Sequence, residues 1–181
     1  GAQAARIDYT PLPAGLTVEA ALAQRHFVQE PHIHQRGDVA AALARAPHRI
    51  QGQFHIGGQE HFYLETQIAL VAPGEDRTFQ VWASTQNPTE VQKLVASVMG
   101  TGMHNVTIDM RRMGGGFGGK ETQAAGVACL CALAVHKTGR PAKMRLARRD
   151  DMRITGKRHP FFVRYDVGFD DEGRFCGVNI E

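Results

Sequence analysis

The stretch Met113-Gly114-Gly115-Gly116-Phe117-Gly118-Gly119-Lys120-Glu121, called here the glycine loop, decides how this chain is organised. An alternating apolar segment from Val106 to Met110 precedes it, and an alanine-rich run from Thr122 to His136 follows it. That context predicts a strand, a loop and a helix that begins near Gly119. Glycine lets a ligand approach the backbone, and the first amides of a helix are unpaired. The loop is therefore expected to hold something polar against N–H donors.

Two nucleotide-binding patterns overlap on the glycine loop. Gly114, Gly116 and Gly119 satisfy G-x-G-x-x-G, and the span from Gly114 to Lys120 satisfies the G-x-x-x-x-G-K of a P-loop. The P-loop pattern then lacks its Ser or Thr, because Glu121 follows the lysine. The dinucleotide pattern has Arg148-Arg149 where an acid is expected. A small nucleotide-binding module, a non-catalytic assembly domain and a ligand-free turn all stay open at this point.

The composition is that of an ordinary globular chain. Its 181 residues are 43% hydrophobic and 22% charged, which suits one sizeable core. A net charge of +3 is too small to indicate nucleic-acid binding, and no apolar run approaches the roughly 18 residues of a membrane helix. The three cysteines form no C-x-x-C pair, so we expect small, buried, reduced thiols in a cytoplasmic protein. His32 and His34 lack a third ligand at useful spacing, which favours exposed histidines over a zinc site.

Turn and cap residues predict the other elements. Asn87 and Pro88 suit the cap and first position of a helix that continues to Met99. Gly57-Gly58 predicts a tight turn between two strands within 49–67, the second continuing toward Pro73. Further elements are expected as helices at 18–24 and 38–45, strands at 78–84 and 142–147, a helical or irregular connector at 148–155, and a hairpin at 161–180. Mixed hairpins and packed helices indicate an α+β fold.

Three motifs together resemble one family. The first runs Gly57-Gly-Gln59-Glu-His-Phe-Tyr-Leu-Glu-Thr66, the second is the glycine loop, and the third runs Ile154-Thr-Gly-Lys-Arg-His-Pro-Phe161. In this order and spacing they resemble the molybdenum-binding subunit of xanthine dehydrogenase. The resemblance covers nearly the whole chain. It implies a mixed, largely antiparallel sheet with packed helices, as in the molybdopterin-binding domain of the aldehyde oxidase and xanthine dehydrogenase family.

The resemblance also implies particular site residues. By its motifs, Gln59 and the backbone at Phe117 and Gly118 hydrogen-bond ligands of the molybdenum without coordinating the metal themselves. Preorganised donors of this kind hold a cofactor and stabilise changing charge. Glu121 matches the acid that binds and orients a purine, although an acid in the first turn of a helix would also account for it.

The implied activity is hydroxylation of a purine carbon next to nitrogen, as in the oxidation of hypoxanthine and xanthine. Electrons would leave through 2Fe-2S clusters and FAD, on an iron–sulfur/FAD subunit or domains that this segment does not contain. No catalytic residue is expected here, because the family's general-base glutamate lies in a later segment. We therefore expect the isolated 181 residues to be inactive.

The resemblance divides the chain at about residue 45. Residues 1–45 are expected to be a linker or tail that leaves the family's small hammerhead domain, and residues 46–181 to be part of its first molybdopterin-binding domain. The chain begins without Met and ends within a predicted strand, so a fragment truncated at its C-terminus is expected. Its partners would be the rest of the molybdenum subunit, the iron–sulfur and flavin parts, and a purine. Neither nucleic acid nor a membrane is expected.

Overall fold

A computed structural model describes residues 5–181, and residues 1–4, at the start of the predicted linker, lie outside the described residues. The helices are α1 Val18–Ala23, α2 Val39–Arg45, α3 Pro88–Met99, α4 Ala124–Thr138 and α5 Arg148–Ile154. The strands are β1 His48–Ile56, β2 Ile68–Pro73, β3 Phe79–Ala83, β4 Val106–Asp109, β5 Ala142–Arg145, β6 Phe161–Phe169 and β7 Phe175–Ile180. Two compact units result, one from the residues up to Gly57 with Pro160–Glu181, the other from Gly58–His159.

The first unit is built on a three-stranded antiparallel sheet in the order β1-β6-β7. Helix α2 packs on β6 and β7 through Leu43, which is buried. The packing is close, because a Cβ added to Gly168 of β6 would lie 2.6 Å from the Cβ of Ala46. Only glycine leaves room there for the end of the helix.

The second unit contains the glycine loop and a four-stranded mixed sheet in the order β4-β3-β2-β5. Strand β2 is antiparallel to β3 and to β5, whereas β3 and β4 are parallel and α3 lies between them in the chain. Parallel neighbours need such a crossover connection. The mixed sheet with its packed helices confirms the α+β prediction.

The core of the second unit lies between its sheet and helices α3 and α4. Val71 and Val81, paired on β2 and β3, are fully buried together with Val91 and Val95 of α3. Helix α4 presents small residues to this core, which lets its backbone approach the sheet closely. The buried residues of α4 are Ala124, Ala125, Val127, Ala128, Cys131, Ala132 and Val135.

The predicted hairpin around Gly57-Gly58 is wrong. Strand β1 ends at Ile56 and pairs with β6, whereas β2 begins only at Ile68 and belongs to the other sheet. The intervening segment forms no strand and makes one isolated bridge, between Gln59 and Arg158. The capped helix α3 and the β6–β7 hairpin form as predicted, and Asn87 accepts a hydrogen bond from the Glu90 N–H.

The predicted start of the helix after the glycine loop is also wrong. Helix α4 begins at Ala124 rather than near Gly119, and its cap residue Gln123 makes no side-chain cap bond. The Gln123 side chain instead accepts a hydrogen bond from the Gly156 N–H. The N-terminal end of α4 is thus separated from the loop glycines by Lys120–Gln123, so its first amides are not part of the loop.

Candidate functional site

The tip of the glycine loop is a tight turn. The Gly119 N–H donates to the Gly116 carbonyl oxygen at 2.8 Å, and the two central residues, Phe117 and Gly118, have φ values of 54° and 90°. Positive φ at both central positions is the signature of a type I′ turn. A left-handed phenylalanine is strained by about 1–3 kcal/mol, and it persists only where the surroundings impose it. The Phe117 side chain is 73% exposed, so the strain arises from how the backbone is held.

Three of the loop glycines make room for side chains from other segments. A Cβ on Gly114 would lie 2.5 Å from Glu65, one on Gly116 would lie 2.4 Å from Gln86, and one on Gly119 would lie 2.7 Å from the Tyr63 ring. These separations are too short for any non-glycine residue without movement of the neighbour. The expectation that glycine serves mainly to let a ligand approach is therefore corrected at these three positions.

Gln86 holds the turn from one side. Its Oε1 accepts hydrogen bonds from the backbone N–H groups of Gly118, at 2.9 Å, and Lys120, at 3.2 Å. The Gln86 N–H donates in return to the Lys120 carbonyl oxygen at 2.9 Å. Because Oε1 is engaged twice, the orientation of the amide is fixed, and its Nε2 has no acceptor among residues 5–181.

Sequence reasoning missed Gln86. It stands between β3 and α3, and its only sequence signal was the polar run Ser84-Thr85-Gln86-Asn87 between a strand and a capped helix. The Phe117 N–H also has no acceptor among residues 5–181. The turn and Gln86 therefore present N–H donors that no residue among 5–181 satisfies, among them the Phe117 N–H and the Gln86 side-chain amide.

Lys120 is buried and cannot act on a phosphate. It is 0% exposed, and its Nζ donates to Glu65 Oε2 at 3.1 Å and to Ser84 Oγ at 2.8 Å. It also lies 4.7 Å from the centroid of the Tyr63 ring, within range of a cation–π contact. A P-loop lysine must reach the phosphates of its ligand. This geometry argues against the nucleotide-binding interpretation of the loop.

Burial and pairing set the charges of this cluster. Burial lowers the pKa of Lys120, and the hydrogen bond and charge of Glu65 only partly oppose that shift. Burial raises the pKa of Glu65, but hydrogen bonds from Ser84, the Gly114 N–H and Lys120 outweigh it, so the pKa of Glu65 lies below its ordinary value. Each donor to the carboxylate therefore favours its ionised form.

A second buried network lies beneath the loop. The Tyr63 hydroxyl donates to Asp151 Oδ1 at 2.7 Å, and the Gln67 N–H donates to Asp151 Oδ2 at 2.7 Å. Gln67 Nε2 donates both to the Tyr63 hydroxyl, at 3.0 Å, and to the Gly119 carbonyl oxygen, at 2.9 Å. Arg148 donates to the carbonyl oxygens of Tyr63 and Leu64, both at 2.7 Å. Helix α5 thus fixes the irregular segment after β1, and that segment supports the loop.

The predicted site residues have different hydrogen-bond partners in the structure. Phe117 and Gly118 form the turn beside Gln86, whereas every hydrogen bond described for Gln59 is to Arg158. The backbones of Gln59 and Arg158 exchange bonds of 3.1 and 2.9 Å, and Arg158 Nη1 donates to Gln59 Oε1 at 3.1 Å. Glu121 is exposed and precedes α4 by three positions. Its interpretation as an acid of the helix first turn is therefore wrong.

The other candidate ligands do not assemble. Within residues 5–181, no three His, Cys, Asp or Glu side chains are grouped closely enough to hold a metal ion, and His32 and His34 are both exposed. Cys131 is buried as expected, Cys129 is half-buried, and Cys176 is exposed, contrary to expectation. Burial raises the pKa of both thiols on α4. No helix in the described part of the chain is long and apolar enough to cross a membrane.

Comparison with known proteins identifies the family of the chain. The profile of the molybdopterin cofactor-binding domain matches residues 22–181. The chain is 43% identical over 99% of its length to a xanthine dehydrogenase/oxidase of Felis catus and 45% identical over 97% to a xanthine dehydrogenase of Calliphora vicina. It is 40% identical over 97% of its length to aldehyde oxidase 2 of Cavia porcellus. The chain spans 13–14% of the length of these relatives.

Solved structures share the fold. The aldehyde oxidoreductase of Desulfovibrio desulfuricans superposes with a TM-score of 0.82 at 19% identity, covering 97% of this chain and 20% of that one. Quinoline 2-oxidoreductase of Pseudomonas putida 86 superposes with a TM-score of 0.78 at 24% identity, covering 97% of this chain and 23% of that one.

Proposed function

Since the chain belongs to the molybdopterin cofactor-binding domain family, we propose that the glycine loop and Gln86 form one wall of a molybdopterin–molybdenum site. The observation that carries this proposal is the strained turn at Phe117 and Gly118, which Gln86 holds through two backbone N–H groups. A held turn with unsatisfied donors is a preorganised site for electron-rich oxygen atoms. All of these residues lie within 46–181, the proposed cofactor-binding part of the chain.

The donor set fits an oxygen-bearing metal group. The Phe117 N–H and the Gln86 amide nitrogen are both available, whereas the Gly118 N–H is engaged by Gln86. We assign Phe117 and Gln86 to direct hydrogen bonds with the cofactor, and Gly118 to shaping the turn that presents Phe117. The bound molybdenum group would supply two-electron redox chemistry. The described residues bind and orient that group, and none of them is assigned as a catalytic acid or base.

Gln59 is retained in the proposal as a second amide that contacts the cofactor. Its Oε1 accepts from Arg158, so its amide nitrogen is the group left to donate. Separate substitutions of Gln59 and Gln86 show whether one amide or both amides hold the cofactor. If both amides hold the cofactor, each Gln→Ala variant loses molybdenum, whereas the loss is confined to Gln86→Ala if only the amide beside the turn does so.

Glu121 is proposed to bind and orient the substrate. Its carboxylate is exposed and accepts no hydrogen bond from the residues described, so it is available for the N–H groups of a heterocycle. We propose a purine such as hypoxanthine or xanthine, hydroxylated at a carbon next to nitrogen. The Felis catus and Calliphora vicina relatives carry the name xanthine dehydrogenase, which supports this choice.

The activity is proposed for a larger assembly. The rest of the molybdenum subunit would provide the general base and most pterin contacts, and iron–sulfur and FAD-containing parts would carry electrons away. The 181 residues alone are expected to be inactive. A cytoplasmic location is part of the proposal, and the three free thiols support it.

The test uses the natural polypeptide that carries this sequence, purified from its own cells. Molybdenum and pterin are measured per polypeptide, and xanthine-dependent NAD reduction is assayed in parallel. Glu121→Gln should abolish purine oxidation and retain molybdenum, with Glu75→Gln, another exposed acid of the second unit, as its control. Gln86→Ala should lose molybdenum, with Gln53→Ala, an exposed glutamine of β1, as its control. Full molybdenum content in Gln86→Ala would refute the proposal that Gln86 forms part of the cofactor site.

A further inference from the structure

The Glu65 carboxylate binds the glycine loop at both ends. Its Oε2 accepts the Gly114 N–H at 3.0 Å and the Lys120 ammonium at 3.1 Å. The backbone adds a third link, because the Glu65 N–H donates to the Gly114 carbonyl oxygen at 3.0 Å. The segment from Gly114 to Lys120 is thus closed into a ring by one carboxylate.

A rigid part of the fold supports this closure. Ser84 directly follows β3, donates to Glu65 Oε2 and accepts from Lys120 Nζ. Thr85, the next residue, donates to the Lys120 carbonyl oxygen at 3.0 Å. The two residues that follow β3 therefore contact both Glu65 and Lys120.

Lys120 can influence a ligand only through the loop. Its side chain is 0% exposed, so it cannot touch a cofactor or substrate. Its backbone N–H, however, shares the acceptor Gln86 Oε1 with the Gly118 N–H. A shift of Lys120 would therefore move the acceptor that holds the turn at Phe117 and Gly118.

We propose that Glu65 and Lys120 are positioning residues whose ion pair, between a buried lysine and a half-buried carboxylate, fixes the turn at Phe117 and Gly118 in its ligand-binding shape. This inference rests on the proposed function for its link to the cofactor, but its effect on loop mobility does not. Four loop amides have acceptors within the chain, so their protection reports the shape of the loop directly. They are the N–H groups of Gly114, Gly118, Gly119 and Lys120.

The ion pair can be removed in two ways with different consequences. Lys120→Met keeps an unbranched side chain that is one atom shorter, but it leaves the Glu65 carboxylate without its cation. Glu65→Gln in the same protein then removes the unpaired charge and keeps an acceptor for the Gly114 N–H. If charge pairing holds the loop, the double variant is less perturbed than Lys120→Met alone, because the two positions are coupled.

The experiment measures peptide-level hydrogen exchange on the natural polypeptide, with molybdenum content determined on the same samples. Lys120→Met should raise the exchange rate of the loop peptide 113–121 by about tenfold or more and leave that of the α3 peptide unchanged. The double variant should recover part of the protection. Lys143→Met, which alters an exposed lysine of β5, is the matched control and should change neither peptide.

Two results would overturn the positioning role: loop exchange equal to that of Lys143→Met, or an equal rise in the loop and α3 peptides. Selective loosening with loss of molybdenum supports both the positioning role and the proposed function. Selective loosening with full molybdenum content supports the positioning role and refutes the placement of the cofactor on the loop. If Lys120→Met does not fold, Ser84→Ala replaces it and should give a smaller loosening confined to the same peptide.

Discussion

Removal of the Tyr63 hydroxyl tests whether the network beneath the loop stabilises the second unit. Tyr63 is 1% exposed, donates to Asp151 Oδ1 at 2.7 Å and accepts from Gln67 Nε2 at 3.0 Å. Tyr63→Phe removes both hydrogen bonds and leaves the ring in place. A hydrogen bond to a charged group contributes about 1.5–3 kcal/mol. We expect the free energy of unfolding of this unit to fall by about that amount, which corresponds to about 10- to 150-fold faster exchange of its core amides.

The assay is hydrogen exchange of the α3 and α4 peptides in the natural polypeptide. Tyr165→Phe is the matched control, because Tyr165 lies on β6 in the first unit and its hydroxyl makes no hydrogen bond to residues 5–181. Rates in Tyr63→Phe that stay within about twofold of those in Tyr165→Phe would show that the hydroxyl contributes nothing measurable, and the supporting role of the network would be lost.

Tyr63 should also make the stability of the second unit depend on pH. Burial, followed by the hydrogen bond to Asp151, raises the pKa of Tyr63 above its ordinary value of 10.0. The unfolded chain therefore loses this proton at a lower pH than the folded chain, so stability falls as the pH rises beyond about 10. Tyr63→Phe should abolish this part of the alkaline loss. An unchanged difference between wild type and variant from pH 9 to pH 11 would contradict the assignment.

Further substitutions follow from close packing and from the first unit. Gly119→Ala should lower the melting temperature, because its Cβ would lie 2.7 Å from the Tyr63 ring and overpacking costs about 1–3 kcal/mol. Gly126→Ala is the comparison, because a Cβ there meets open space on α4, and it should raise the free energy of unfolding by about 0.5–1 kcal/mol. Equal effects of the two variants on the melting temperature would contradict this reasoning. The hydrogen bond from Arg49 lowers the pKa of Asp166 to about 2, so the stability that Asp166 contributes should be present above pH 4 and lost as the pH falls through about 2. Asp166→Asn should remove this acid dependence in denaturation monitored on the β6–β7 peptide.

Local signals predicted those elements that local interactions determine. Asn87 and Pro88 identify the start of α3, because a cap and a preset φ act within one turn. The β6–β7 hairpin follows from a turn whose hydrogen bonds lie within Asp170–Arg174. The error at Gly57-Gly58 has the opposite cause, because the partner of β1 is β6, more than a hundred positions later. Two successive strand-like segments look the same locally whether they pair with each other or join different sheets.

The site was only partly predictable for the same reason. The glycine loop and Glu121 are visible in the sequence, and the resemblance supplied a ligand for them. The role of Gln86 depends on bonds to a loop 32 and 34 positions away, and the burial of Lys120 depends on Glu65, 55 positions earlier. The sequence does not show whether a lysine is exposed or buried. Sequence alone therefore suggested a phosphate contact where the fold pairs a buried lysine with Glu65.

The side chains packed beside Gly114, Gly116 and Gly119 determine whether the loop keeps its conformation when it is moved to another protein. Each glycine is complementary to a side chain from another segment, so the nine residues of Met113–Glu121 do not encode their own conformation. Grafted onto a different scaffold, they should be a pliable segment with no preferred turn. A designer who wants this donor arrangement must move Tyr63, Glu65 and Gln86 with the loop, and must keep the strand end that holds Ser84.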